Sequence, residues 1–283
     1  MRADQRARRD DLLNRIGNRP AVMGILNVTP DSFSDGGRFL AADAAMAHAR
    51  TMAAQGCAIV DVGGESTRPG ATPVTAADEL ARIEPVFARL AHELATPLSV
   101  DTMKANVAAR AVELGAVMVN DVWGLQKDPA MADVVAGVEA AVVIMHNRRE
   151  KDAEVDVIGD IRRFFDHSLA LASRAGIPDR HVVLDPGIGF GKTARQNIEA
   201  IARLGELKDY GRPIMVGASR KAFFGSLAQG EGRIAIKTES EPIGTIAASL
   251  AAAAAGATLF RVHDVAGHVA ALAVFDTIRN RRI

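Results

Sequence analysis

The sequence predicts an α/β protein of the (β/α)8 TIM-barrel class in a single domain, and three observations carry that expectation. Eight short β-rich apolar runs recur along the chain. Stretches with helical apolar spacing lie between most of them. A polar residue stands at or just beyond the end of every run. The 283 residues suit such a barrel, which typically takes roughly 250. Residues 1–20 read as a basic leader segment and 21–283 as the barrel domain.

In order, the strand runs are 21–26, 58–62, 98–100, 116–119, 141–145, 181–184, 213–216 and 258–262. Helical spacing fills 41–54, 76–94, 106–114, 161–175 and 198–207. Gly56, Gly115 and Gly176 follow three of these stretches, where a left-handed residue ends a helix most cheaply. The apolar run 246–260 is mostly alanine and too short to span a bilayer, so it predicts a buried helix leading into a strand. Strand alternating with helix implies a parallel sheet, because parallel neighbours need a long crossover. A doubly wound open sheet is the alternative and would also place function at the carboxyl strand ends. Eight units without a composition break or linker favour the barrel.

The polar ends are Asn27, Asp61 within its strand, Asp101, Asn120 with Asp121, His146, Asp185, Ser219 with Lys221, and Arg261 with His263. One such residue alone is best read as a helix cap or turn. Eight in register point to a single rim, the end where barrels of this class build their active sites.

Hydrophobic residues make up 48% of the chain and charged residues 24%, the balance of a globular protein with a substantial core. Lysine plus arginine equals aspartate plus glutamate at 34 each, so no overall positive field exists to hold nucleic acid. Cys57 is the only cysteine, which excludes an internal disulfide and a cysteine-based zinc site, and its apolar setting predicts a buried, inert thiol. Six arginines and no apolar stretch mark the first twenty residues, a pattern of neither a secretory signal nor a membrane anchor. A cytoplasmic address and no membrane contact are the expectation.

DPGIGFGKT at 185–193 has the look of a nucleotide loop, but proline occupies position 186 where the Walker pattern needs glycine, and Lys192 stands where the dinucleotide pattern needs its third glycine. A flexible glycine loop is left, against which a flat ligand could lie. GASRKAFFG at 217–225 puts Lys221 past the seventh strand; on this motif alone a hydrogen-bonding lysine and a solvated surface lysine stand level. RVHDVAGH at 261–268 places Arg261 and His263 on alternate residues as the eighth strand ends, able to point the same way toward a helix N-terminus suited to phosphate. His48, His92, His167, His181 and His268 show no metal-ligand spacing and read as surface or structural.

Two long rim loops, VTPDSFSDGG at 28–37 and GGESTRPGA at 63–71, together resemble dihydropteroate synthases, a family of pterin-binding enzymes. The similarity continues in order and spacing through SVDT at 99–102, VND at 119–121, MH at 145–146, LDPGIGFGKT at 184–193, GASRK at 217–221 and RVHDV at 261–265. It covers nearly the whole chain after the leader. It departs in the fifth loop, where the family usually shows Gly and Pro after Met-His and this chain reads NRREKDAEVD at 147–156. The segment 229–242 is also longer and more charged than the family pattern and reads as an exposed loop.

The resemblance implies a cytoplasmic, Mg2+-dependent transferase of folate biosynthesis, a sulfonamide target and a homodimer through barrel helices away from the rim. It would join 6-hydroxymethyl-7,8-dihydropterin diphosphate to para-aminobenzoate. Carried over residue by residue, it implies catalytic roles for Asp101, Asp185, Lys221, Arg261 and His263. Asp185, Asn120, Lys221 and Asp101 would hold the pterin with Met145, Gly189 and Gly217 lining the pocket. Phe33, Thr67, Pro69, Phe190 and Ser219 would hold the aminobenzoate, and Arg68, Arg261 and His263 the diphosphate. Asn27 would be the Mg2+ ligand, a hard oxygen suited to a hard ion. Two other readings compete: a pterin-dependent methyltransferase, against which TRPG at 67–70 and SRK at 219–221 argue, and a pterin-binding paralogue without turnover, against which the complete set of charged positions argues.

Overall fold

The computed structural model describes residues 1–29, 38–66, 72–219, 221 and 241–281. Eight strands, β1 (Ala21–Asn27), β2 (Ile59–Gly63), β3 (Leu98–Asp101), β4 (Met118–Asp121), β5 (Ala141–Met145), β6 (Val182–Asp185), β7 (Met215–Val216) and β8 (Leu259–Val262), pair in parallel in the order β6-β5-β4-β3-β2-β1-β8-β7. A parallel bridge between Leu184 and Ile214, with Leu184 N donating to Pro213 O at 3.0 Å, joins the two ends of that list and closes the ring. Closure leaves no sheet edge, and the expected barrel is the fold.

The helices are α1 (Ala3–Asn18), α2 (Arg38–Ala54), α3 (Ala76–Glu93), α4 (Ala105–Glu113), α5 (Met131–Gly137), α6 (Val157–Ala175), α7 (Ala194–Ala202), α8 (Glu241–Ala255) and α9 (Val265–Asn280). Their starts are written in the local sequence: Thr75, Asp156, Thr193 and Asp264 each accept a backbone N–H of the first turn. Gly56, Gly115 and Gly176 take positive φ where the sequence predicts helix ends. The 198–207 stretch is shorter as a helix than expected, because α7 stops at Ala202 and a 3-10 turn, Leu204–Tyr210, follows. Glu241 and Pro242, expected in an exposed loop, begin α8, where the first turn tolerates proline; the rest of that segment lies outside the described residues. No helix is long and apolar enough to cross a membrane among the described residues.

Strand alternation divides the core into two layers. Val22, Leu26, Val60, Val62, Val100, Ile144, Leu184 and Phe260 face the helical shell, while Met23, Ile59, Met118, Val143, Val183, Met215 and Leu259 fill the interior. Leu12 and Ile16 of α1 belong to that interior cluster, so α1 packs against the barrel floor. Gln5 Nε2 donates to Val112 O at 2.8 Å, and Arg9 is buried with Nη1 directed at Glu139 O. The basic leader is thus a structural part of the barrel. The floor is filled, and at the opposite rim the next inward positions are polar.

Candidate active site

Continuing the same alternation upward places Asp61, Asp101, Asn120, Met145, Asp185 and Arg261 on the inward side near the carboxyl ends of their strands. Asp121, one residue after Asn120, points outward: its two oxygens accept from Trp123 N at 2.9 Å and Leu125 N at 2.7 Å. It shapes the turn after β4, and burial pushes its carboxyl up to about 6.

Arg261 is the hub. Its Nε donates to Asp61 Oδ2 at 2.6 Å and its Nη2 to Asp101 Oδ2 at 2.6 Å. Asn120 Nδ2 donates to the same Asp61 oxygen at 2.9 Å, so one carboxylate ties β2 to β4 and β8, and Arg261 extends the link to Asp101 of β3. Burial holds the Asp101 carboxyl up to about 7 against the pull of Arg261, with the charges of Asp61 and Glu79 adding to the rise. Asp61 Oδ1, Asp101 Oδ1 and Asn120 Oδ1 are buried and accept no hydrogen bond among the described residues. Asn27 stands beside this group: a side-chain carbon built on Gly63 would lie 3.7 Å from both Asn27 Oδ1 and Asp101 Oδ2.

Across the rim, Asp185 Oδ1 accepts from Gly187 N at 2.7 Å. Burial pushes its carboxyl up to about 6, offset by the Gly187 hydrogen bond and by the charges of Lys192, Lys221 and Arg261. A carbon built on Gly217 would come within 4.0 Å of Asp185 Oδ2 and 3.8 Å of the Arg261 Cβ, so glycine there leaves the space between them open. Lys221 lies along Gly189, with its ammonium 4.1 Å from the centre of the Phe190 ring. Ser219 Oγ sits 3.0 Å from His263 Nδ1 and 3.3 Å from the His263 backbone N–H.

The loop after β6 is fixed rather than flexible. Gly187 carries φ +67, and a side-chain carbon there would lie 1.9 Å from His146 O. Lys192, buried, donates to Gly187 O at 2.9 Å and Phe190 O at 3.2 Å, and lies 2.7 Å from His146 Nδ1. His146 is correspondingly behind the rim, with Nε2 3.1 Å from Asp160 Oδ2 of α6. Gly189 N donates to Asn197 Oδ1 at 2.6 Å. The divergent fifth loop is anchored to the same support: Gln196 Nε2 donates to Asp152 O at 2.6 Å and Val155 O at 3.1 Å, and Arg148 Nη2 donates to Gln196 Oε1 at 3.1 Å.

The structure therefore brings together Asn27, Asp101, Asn120, Met145, Asp185, Gly189, Phe190, Gly217, Ser219, Lys221, Arg261 and His263 at one barrel end. Phe33, Thr67, Arg68 and Pro69 lie outside the described residues. Sequence reasoning missed the organising role of Asp61 and the support from His146 and Lys192. Asp61 carried a usable signal, a carboxylate inside an otherwise apolar strand, which stays buried only when paired. Lys192 carried none, since its partners come from three separate peptides.

Residues 23–263 match a family model described as pterin binding enzyme. The dihydropteroate synthase of Clostridium beijerinckii is 42% identical over 270 residues, covering 94% of this chain and 97% of that protein. A crystal structure of dihydropteroate synthase from Clostridium difficile in the presence of pteroic acid superposes with a TM-score of 0.88 at 46% identity, covering 94% of this chain and 98% of the other. That of Xanthomonas albilineans with 4-aminobenzoic acid gives 0.86 at 44% identity, covering 93% and 94%.

Proposed function

The chain belongs to the pterin-binding enzyme family, and from that premise we propose how its barrel rim joins a pterin to an arylamine. It condenses 6-hydroxymethyl-7,8-dihydropterin diphosphate with para-aminobenzoate to give 7,8-dihydropteroate and diphosphate. The observation that carries the assignment of residues is the set of buried oxygens on Asp61, Asp101 and Asn120 that accept nothing from the described residues. Each such atom costs about 1–3 kcal/mol while unpaired, so this group of acceptors favours a ligand rich in N–H donors. A pterin edge presents an amino group and a ring N–H side by side.

Asp185 accepts that donor pair when ionised, Asn120 donates and accepts along the neighbouring edge, and Lys221 donates to the ring carbonyl. As the C–O bond to diphosphate breaks, positive charge grows on the pterin methylene. Asp185 and the Asp61–Asp101–Arg261 cluster, which carries one net negative charge when all three are ionised, oppose that charge at short range. His263 faces the developing anion. Arg261, expected to be catalytic and to bind diphosphate, has its Nε and Nη2 engaged by two carboxylates, so it also orients Asp101. The arylamine attacks directly, and no side-chain nucleophile is needed.

Mg2+ is part of this proposal. Asn27 offers a single hard oxygen, and no group of three or more His, Cys, Asp or Glu forms a metal cage among the described residues, which suits an ion held mainly by diphosphate oxygens and water. When bound it supplies positive charge to the leaving group. A homodimer is supported by Ile243, Val274 and Ile278, large apolar side chains left exposed on α8 and α9. A cytoplasmic address belongs to the same proposal; the free thiol of Cys57, buried and raised to about 11 by burial, is compatible with it.

The test is diphosphate release. It should require the chain, the pterin diphosphate, para-aminobenzoate and Mg2+ together; release at the uncatalysed rate with all four present would reject the reading.

A further inference from the structure

We propose that Lys192 is a positioning residue for this reaction: its buried ammonium pins the peptides of Gly187 and Phe190 and thereby sets Asp185 and Lys221, the two groups on which the pterin rests. The inference depends on the assignment of the pterin to the β6 rim.

The geometry starts from proton counting. A lysine ammonium has three N–H donors and no acceptor. Around Lys192 Nζ stand three acceptors: His146 Nδ1 at 2.7 Å, Gly187 O at 2.9 Å and Phe190 O at 3.2 Å. For His146 Nδ1 to accept, its proton must be on Nε2, which then donates to Asp160 Oδ2 at 3.1 Å. Every polar hydrogen in the chain Asp160–His146–Lys192 therefore has a partner, and none is left for a substrate. Lys192 acts through what it holds.

It holds both ends of a four-residue turn. Gly187, whose O accepts from Lys192, donates its N–H to Asp185 Oδ1 at 2.7 Å, so holding that residue helps to hold the carboxylate. Phe190, whose O also accepts from Lys192, presents the ring 4.1 Å from the Lys221 ammonium. The same ammonium places a positive charge behind Asp185; burial brings Lys192 down to about 7 against the pull of Asp185, so that charge is present at pH 6, where Asp185 titrates, and mostly gone by pH 8. Burial pushes that carboxyl up, to about 6; the Gly187 hydrogen bond and the charges of Lys192, Lys221 and Arg261 pull it back toward ionisation. The titratable and charged groups around Lys192 itself are Asp185 from β6, Lys221 beyond β7, the neutral His146 and Arg148 beyond β5, and Asp160 from α6.

The test compares pteroic acid binding by calorimetry, from pH 5.5 to 8.5, between the unaltered chain and Lys192→Met. The ratio of the two affinities at each pH cancels the ligand's own ionisation. Loss of the buried charge should move the acid limb of binding upward by about one unit, so that the variant binds roughly tenfold more weakly at pH 6 than its deficit at pH 8 explains. In kinetics, kcat/KM for the pterin diphosphate should fall with it, while KM for para-aminobenzoate stays within about twofold. A uniform deficit with an unmoved acid limb would mean that Lys192 only packs the loop, and would overturn the proposal; so would an unchanged affinity. Failure of the unaltered chain to bind pteroic acid at every pH would reject the assignment of the site and this inference with it. A second measurement needs no folded variant. Nitrogen-15 spectra of labelled histidine in the unaltered protein should show His146 as the neutral Nε2–H form at pH 6, and an Nδ1–H form there would overturn the saturated ammonium.

Discussion

Arg261 Nε donates to Asp61 Oδ2 at 2.6 Å, linking β8 to β2 over the intervening β1 and between residues 200 positions apart. Asp61 is fully buried, and the same oxygen also takes the Asn120 amide. Asp61→Ala removes a partner from both. Folding stability should drop by about 3 kcal/mol, the usual result of breaking a buried ion pair, as read by urea denaturation. Because Arg261 then orients Asp101 poorly, kcat/KM for the pterin diphosphate should fall at least about tenfold with little change in KM for para-aminobenzoate. An alanine variant as active as its parent would show that Asp61 is only a core ion.

Asp185 predicts opposite pH trends for stability and function. Its carboxyl, raised from 3.8 to about 6 by burial, is bound to a proton in the folded state across a range where the unfolded chain has released it. The cost of burying the charge is therefore complete above pH 6 and fades as pH falls toward 3.8. Two units correspond to about 3 kcal/mol, undiminished by solvent screening because the group is buried. Asp185→Asn should accordingly be more stable than its parent at pH 8 and lose that advantage near pH 4.5, while kcat/KM falls roughly a hundredfold. Paired denaturation curves at the two pH values decide it; an identical stability difference at both would contradict the burial argument.

Gly187→Ala should be among the most damaging single-methyl changes in the chain. The position holds φ +67, and the new carbon would meet His146 O at 1.9 Å, a backbone atom that cannot swing aside. Relieving the clash displaces the loop that sets Asp185. A loss of about 3 kcal/mol or more is expected, together with loss of pterin binding in calorimetry. Gly176→Ala is the control: it also sits at positive φ, but nothing lies within 4 Å of the added carbon, so its cost should stay near 1 kcal/mol and its kinetics unchanged.

Much of this architecture was legible because its signals are local. The eight apolar runs and helix-ending glycines depend on short-range spacing, and the barrel keeps them all. What escaped was set by tertiary contact. α1 offers only Leu12, Leu13 and Ile16 among its charges, too few to announce an amphipathic helix, yet Leu12 and Ile16 fill the barrel floor. The Gly187–Gly191 stretch reads as flexible by composition, whereas Lys192, Asn197 and Asp185 lock it from three sides. His146 reads as a rim residue by its place after β5; a backbone bond from its N–H to Asp185 O holds it in register, while its ring points back to α6. Position in the strand fixes where a residue is, and not which way its side chain is used.

The leader's structural role gives its own test. Ile16 is completely buried in the interior cluster with Met23, Ile59 and Leu259, far down the barrel from the polar rim. Ile16→Ala should cost about 2–5 kcal/mol by the lost methyl and methylene burial and the cavity left behind. KM values for both substrates should hold, since the floor and the rim are separate ends of a packed core. A selective rise in either KM without loss of stability would contradict the assignment of α1 as a plug.

Lys104→Met probes the base of the second rim loop. Lys104 Nζ bridges Glu65 Oε2 at 2.6 Å and Glu79 Oε2 at 2.5 Å, and Glu79 is fully buried. Glu65 uses its other oxygen to accept Val74 N at 3.0 Å, so the carboxylate ties together residues on either side of Thr67, Arg68 and Pro69. Without the ammonium, two buried carboxylates face each other unpaired. The variant's deficit should be about 3 kcal/mol. The loop base loosens, so KM for para-aminobenzoate should rise several-fold more than KM for the pterin diphosphate. Denaturation and steady-state kinetics check the two halves together: unchanged stability would show that the ion cluster contributes nothing to the fold, and equal changes in both KM values would show that the cluster does not serve this loop.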